Sequence, residues 1–177
     1  MDYEALVDLV KNNQGRLTLD LVAVDIDREA NTNFTNSGLS CAWTKKMQGG
    51  YNGALPVELV TTDTGRYTKR NILGIGYGFA WAKKMRGKLG DMEFDLIATR
   101  VIKKREKRLL AFGYSYAWVE QMTGEIGPRL KLRFTTTDVG QEKKSSFLGF
   151  GSGFGWSNKA ELVITLYEAL PRRFKGN

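Results

Sequence analysis

The 177-residue chain has no histidine, one cysteine and three prolines, and it has no apolar run long enough to cross a membrane as a helix. Without histidine, the commonest general base and the commonest metal ligand are both missing. No metal site and no cofactor are implied, and the chain reads as a non-enzyme. Cys41 by itself cannot close an intrachain disulfide, which excludes a secreted disulfide scaffold and favours a reducing compartment. The opening DYEALVDLVKNNQG lacks the basic and apolar segments of an export signal, so a cytoplasmic protein is expected. Acidic residues are in deficit, 19 against 27 Lys and Arg, leaving a net charge of +8. Such a balance favours acidic partners such as nucleic acid, anionic lipid or an acidic protein surface.

Glycine, by contrast, is plentiful at 20 residues. In Asn71–Met85, Leu73, Ile75, Tyr77, Phe79 and Trp81 alternate with Gly74, Gly76, Gly78 and Ala80. This is the period of two of a strand with one bulky face and one bare face. The pattern returns in Leu109–Trp118 and Phe147–Trp156 and, shortened, in Gly38–Trp43. Half-buried strands of a second kind lie between: LTLDLVAVDI from Leu17, ALPVELVTT from Ala54, MEFDLIATRV from Met92, RLKLRFTTT from Arg129 and ELVITLYEA from Glu161. Five of one kind and four of the other give about nine strands joined by polar turns.

Trp43, Trp81, Trp118 and Trp156 are spaced by 38, 37 and 38 residues, one hairpin per step. A shift of 75 carries Gly74, Gly76, Gly78, Phe79 and Trp81 onto Gly149, Gly151, Gly153, Phe154 and Trp156 without a gap. The expected fold is all-β: an antiparallel up-and-down meander closed as a barrel or sandwich, with a 75-residue internal duplication. The whole chain, 1–177, reads as a single domain. It has an N-terminal helix at 1–15 capped by Asp2, β units at 17–94 and 92–169, and a tail at 170–177. The helix should lie against the β core and cover one mouth, and the aromatics should fill the interior. The bare glycines then either allow strong coiling or mark where another backbone comes close. The opening helix, LTLDLVAVDI, a Gly-rich strand and ALPVELVTT together resemble, in pattern and over at most the first third of the chain, the small trypsin-co-occurring domains of bacterial defence-type gene clusters. No diagnostic motif carries that resemblance, and no functional reading rests on it.

Several features invite a chemical reading. Cys41 lies on the apolar face between Leu39 and Trp43, where an inert thiol is expected rather than a nucleophile. Asp63 and Asp138, equivalent under the 75-residue shift, are expected to be turn residues rather than paired catalytic carboxylates. The Gly-x-Gly-x-Gly runs lie within a strand and do not open a helix, so they are not a phosphate cradle. The AWTKKM and AWAKKM segments set Trp43 and Trp81 beside lysines, as base-stacking sites do, but the strand pattern assigns these indoles to packing.

The basic clusters carry the functional content. Lys103, Lys104, Arg105, Lys107 and Arg108 crowd one connection, with Arg66, Lys69 and Arg70 in the connection upstream and Lys143 and Lys144 in the one downstream. All fall at one end of the meander. They suit either polyanion contact or lysines that keep strand edges from pairing. The leading expectation is a structural or interaction protein that self-associates or docks a protein partner on its bare strand faces. The alternatives are a nucleic-acid or other polyanion binder using the hairpin loops, and a carrier of apolar ligands. A membrane partner is disfavoured.

Overall fold

A computed structural model of the chain describes residues 1–31, 39–52, 55–70, 76–107, 113–145 and 151–167. Parts of the Gly-aromatic stretches, at 38, 71–75, 109–112 and 147–150, lie outside the described residues, as does the tail at 170–177.

The chain opens with α1 (Tyr3–Asn12) and continues as β1 (Arg16–Asn31), β2 (Leu39–Tyr51), β3 (Leu55–Arg70), β4 (Gly76–Leu89), β5 (Met92–Lys107), β6 (Gly113–Ile126), β7 (Leu130–Ser145) and β8 (Gly151–Leu166). Every neighbouring pair is antiparallel, and β8 returns to β1, so the meander closes as an eight-stranded barrel. The count is eight because Gly151–Trp156 and Glu161–Leu166, the described parts of two stretches read as separate strands across a turn at SNKA, belong to one strand, with Ser157–Ala160 inside β8.

Pairing is unequal along the strands, and that inequality shapes the molecule. β2 meets β3 only over 46–51 and 55–60, β4 meets β5 over 84–89 and 92–97, β6 meets β7 over 121–126 and 130–135, and β8 meets β1 over 159–165 and 16–22. Beyond those levels each odd strand pairs with the following even strand alone. Four two-stranded ribbons therefore rise from one end of the barrel: 25–31 with 39–46, 63–70 with 76–84, 100–107 with 113–121, and 138–145 with 151–159.

Each ribbon begins at a register irregularity in which one residue on each strand has no opposite number. These are Val24 and Lys45, Thr62 and Lys83, Thr99 and Glu120, and Thr137 and Asn158. A bulge of this kind bends the strands and strengthens their twist. Thr62 and Thr99 donate their hydroxyls across it to the carbonyls of Lys84 and Gln121. The even-strand member is clasped at every repeat. Lys45 Nζ lies 3.5 Å from Asp25, and Lys83 Nζ lies 3.0 Å from Asp63. Asn158 donates to Asp138 at 2.6 Å. In the third repeat the polarity is reversed, with Arg100 Nε 2.6 Å from Glu120. Asp63 and Asp138 are thus bulge residues within strands, correcting the turn assignment.

The reversal supplies its own test. Arg100→Asp places like charges across the bulge and lowers stability by up to about 1 kcal/mol, the scale of an exposed pair. Adding Glu120→Lys, which recreates the polarity of the other repeats, restores it to within about 0.5 kcal/mol in urea titrations. A double variant as weak as the sum of its singles refutes the clasp.

The barrel is filled by the half-buried strands. Leu17, Leu19, Leu21, Leu59, Leu96, Leu132, Phe134, Leu162 and Ile164 form one core, each no more than 2 % exposed. Helix α1 closes the mouth at the end with the short turns. Asp2 caps it by accepting from the Ala5 N–H at 2.9 Å, and Gly15, at φ +77°, makes the left-handed exit that β-carbon-bearing residues avoid. Leu6, Val7 and Val10 are fully buried in the barrel core. Two phenols pin the rim: Tyr3 accepts from the Arg129 N–H at 3.0 Å, and Tyr51 donates to Asn13 Oδ1 at 2.9 Å.

The aromatics of the Gly-aromatic strands, Trp81 apart, do not fill this interior, contrary to expectation. They lie between the ribbons, in separate clusters around Phe154 and Trp156 and around Tyr114, Tyr116 and Trp118. The third ribbon turns its bulky face toward the bare face of the fourth, as neighbouring blades of a pinwheel do. Gly151 and Gly153 of β8 pack on Tyr114 of β6, and Gly153 and Gly155 pack on Tyr116, so close that a β-carbon would overlap those side chains. These glycines make room chiefly for the side chains of a neighbouring ribbon. Within a ribbon, Trp81 lies flat on Gly65 and Trp156 lies flat on Gly140. These two glycine contacts correspond under the 75-residue shift.

Candidate functional site: the basic ribbons

The inner strands β2, β4, β6 and β8 gather around the axis, and hydroxyls bridge their inner edges. Ser115 donates to the Gly78 carbonyl at 2.8 Å, Thr44 to Ser157 at 2.6 Å, and Ser157 to Val119 at 3.0 Å. The space among the four tryptophans is about 10 Å³, the size of one water. Trp43, Trp118 and Trp156 are buried and Trp81 is half-buried, so the indoles pack, as the strand pattern indicates.

The outer parts of β1, β3, β5 and β7 are exposed edges. Here the sequence reading needs correction: Arg66, Lys69, Arg70, Lys103, Lys104, Arg105, Lys143 and Lys144 are strand residues, not loop residues. Arg108 and the side chain of Lys107 lie outside the described residues. Lysine-rich polar segments resemble turns when read alone, but an edge strand carries the same composition because charge keeps it from pairing with another chain.

All eight described cations lie on the ribbon end, as predicted, but the pinwheel distributes them over different faces. Two of them, together with Arg28, follow one rule. Arg28, Arg66 and Lys103, spaced by 38 and 37 residues, each reach back over the tryptophan of the preceding ribbon. The distances are 5.6 Å to Trp156, 5.4 Å to Trp43 and 4.4 Å to Trp81. The equivalent fourth residue is Gln141, and Lys104 of the same hairpin stands over Trp118 instead, at 5.3 Å. Such contacts contribute about 0.5–1 kcal/mol each at exposed sites.

Ion pairs tie ribbons together. Arg66 grips Glu29 through both nitrogens, one of the bonds at 2.6 Å. That bond chiefly holds the Glu29 carboxyl below its ordinary range and raises Arg66. Lys143 meets Glu106 at 2.8 Å, Arg28 meets Glu142 at 2.9 Å, and Lys144 meets Glu142 at 3.3 Å. Lys143 is thereby held against β5, and Lys144 against Glu142 of its own strand. Lys69 and Arg70 have no ion pair among the described residues, and Arg70 lines a groove of about 590 Å³ with Arg28, Arg66, Cys41 and Phe79. Burial first, and Glu29 second, push the Cys41 thiol up to about 11. A thiol that weakly acidic is a poor nucleophile at neutral pH.

Between the second and third ribbons the cations meet an aromatic cluster in which Tyr67 is exposed, Tyr77 half-buried and Phe79 buried. Tyr67, Tyr77 and Phe79 form a cluster with centroids 5.6–6.3 Å apart. Lys103 stands 5.3 Å over Tyr67, and Arg105 stands 4.3 Å over Tyr77. Sequence reasoning missed Tyr67 and Arg28 as members of the site. Alignment at 37 and 38 residues finds both, Arg28 through its equivalents Arg66 and Lys103, and Tyr67 as the aromatic exception among Glu29, Lys104 and Glu142.

Among the described residues, no group of three or more His, Cys, Asp or Glu side chains is placed to hold a metal ion, and no helix is long and apolar enough to cross a membrane. The chain matches no family model, and neither a curated protein nor a solved structure matches it, so the resemblance in pattern of its first third finds no support there.

Proposed function

We propose that this is a non-catalytic interaction protein whose partner is a polyanion, bound on the ribbon end of the barrel. The supporting observation is the placement of charge. The second ribbon sets Arg66, Lys69, Arg70, Lys83 and Lys84 against Asp63, and the third sets Arg100, Lys103, Lys104 and Arg105 against Glu106 and Glu120. Those carboxylates are taken up by Lys83, Lys143 and Arg100, which leaves a surplus of positive charge facing water. The first ribbon, with Asp25, Asp27 and Glu29 against Arg28, Lys45 and Lys46, is balanced.

Docking of a second copy or a protein partner on bare glycine faces is supported less, because Gly151, Gly153 and Gly155 are already covered by Tyr114 and Tyr116. Light scattering at high concentration reads that alternative directly. The polyanion reading is tested by titrating labelled heparin and labelled oligonucleotides at 50 and 200 mM salt. Four to six phosphate-like contacts weaken binding by at least about tenfold over that range, and Lys69→Glu with Arg70→Glu weakens it further at low salt. Salt-insensitive binding, or none to any of these probes, sinks the reading.

A further inference from the structure

The surface between the second and third ribbons carries more than charge. Position 67 is equivalent to 29, 104 and 142, which hold Glu29, Lys104 and Glu142 in the other repeats. The second ribbon alone places an aromatic there. Tyr67 is 45 % exposed on an edge strand, where a charged side chain would guard the edge at lower hydrophobic cost. Its ring lies tilted beside Phe79 at 6.2 Å and Tyr77 at 6.3 Å. Lys69, opposite Tyr77 in the ribbon register, shares that face, and Lys103 and Arg105 border it from the neighbouring ribbon. The carboxylates of the second and third ribbons are each engaged by a cation: Asp63 is clasped by Lys83, Glu106 by Lys143 and Glu120 by Arg100.

Charge alone would serve heparin, a duplex or an anionic bilayer equally, and none of those offers the flat face of an unpaired base. We propose that this surface binds single-stranded nucleic acid, with a base stacked on Tyr67 and the flanking phosphates held by Lys69, Lys103 and Arg105. Base stacking on an aromatic side chain is tolerant of sequence and separates single strands from other polyanions. The inference rests on the polyanion reading and narrows its partner.

The experiment uses the full chain and fluorescence anisotropy at 50 mM salt. The probes are labelled oligo(dT) and oligo(U) 12-mers, a mixed-sequence 16-bp duplex, labelled heparin, and vesicles of phosphatidylcholine with 30 % phosphatidylglycerol. The single strands are expected to bind at least about tenfold tighter than the duplex. Tyr67→Ala should weaken both single strands by about 5-fold to 100-fold, the range for one lost stacking contact, and leave heparin affinity within twofold. Tyr67→Phe should retain binding, separating stacking from the loss of a hydroxyl. A preference for oligo(U) over oligo(dT), or the reverse, assigns the ligand as RNA or DNA. Three results overturn the inference while leaving the polyanion reading in place: equal affinity for duplex and single strand, an equal loss for heparin in Tyr67→Ala, or vesicle binding that outcompetes the oligonucleotides. Failure of every probe to bind ends both.

Discussion

Gly65→Ala and Gly140→Ala should each lower the free energy of unfolding by about 1–3 kcal/mol, and the double variant by about the sum. In an ordinary strand the substitution points the other way. Alanine reduces the freedom of the unfolded chain and stabilises by about 0.4–1 kcal/mol wherever the backbone geometry allows it. Neither Gly65 nor Gly140 has a positive φ, so the backbone raises no objection. The objection comes from the partner side chain, since a methyl at either position would overlap the indole of Trp81 or Trp156. An indole is rigid, and each of these is also pinned on its other side, Trp81 beneath Lys103 and Trp156 beneath Arg28. Urea unfolding followed by tryptophan fluorescence reads both the stability and the indole environment. A stabilised Gly65→Ala variant would show that the rings swing aside and that the pinwheel is loosely packed.

The equivalence of those two glycines was legible in the sequence, and so was most of the architecture. Alternation of large and absent side chains in YGFAW and GFGW specifies a strand, and the spacing of the four tryptophans specifies a hairpin repeat. Closure also follows, because strands with one apolar face must bury it. Where the bulky face goes was not legible. Periodicity states that Tyr116 and Phe154 share a kind of face with Trp118 and Trp156, but not whether that face meets the barrel axis or another ribbon. The answer depends on the bulges at Val24, Thr62, Thr99 and Thr137, which end the barrel and start the ribbons. A bulge is one residue of slippage and leaves no mark in composition.

The candidate site was legible in the same partial way. Its cations were visible as clusters, and their location at one end followed from the meander. Their assignment to turns failed because DTGRYTKR and KKREK alternate only weakly in hydropathy, as exposed edge strands do. Nor could a charge cluster reveal that Arg66 is committed to Glu29 and Trp43 whereas Lys69 and Arg70 have no ion pair among the described residues. Those commitments separate cations that hold the scaffold from cations available to a partner. The distinction has a pH consequence. The Glu29 carboxyl titrates below its ordinary range in the folded state, so its pairing with Arg66 is present above the unfolded carboxylate range and is lost as pH falls through the lowered value. Acid therefore loosens the first ribbon from the second while the cations on the polyanion face keep their charge.

The remaining large effect belongs to the opposite end of the molecule. Eight strands closed around Leu17, Leu59, Leu96 and Leu162 leave an apolar mouth, and α1 seals it with Leu6, Val7 and Val10, all fully buried. Burying three such aliphatic side chains contributes about 1.5–3 kcal/mol apiece, a total comparable with the whole stability of a domain this size. Leu6→Ala should therefore cost about 2–5 kcal/mol, because the cavity it leaves is walled by a closed barrel that cannot collapse inward. Leu6→Asp should leave little folded protein at 37 °C, since an unpaired carboxylate would enter the core. Asp2→Ala removes only the cap and should cost about 1 kcal/mol. The decisive comparison is the order of these three in chemical denaturation. A Leu6→Ala variant no weaker than Asp2→Ala would mean that the helix rests on the rim as an ornament, and that the barrel core is sealed by other side chains.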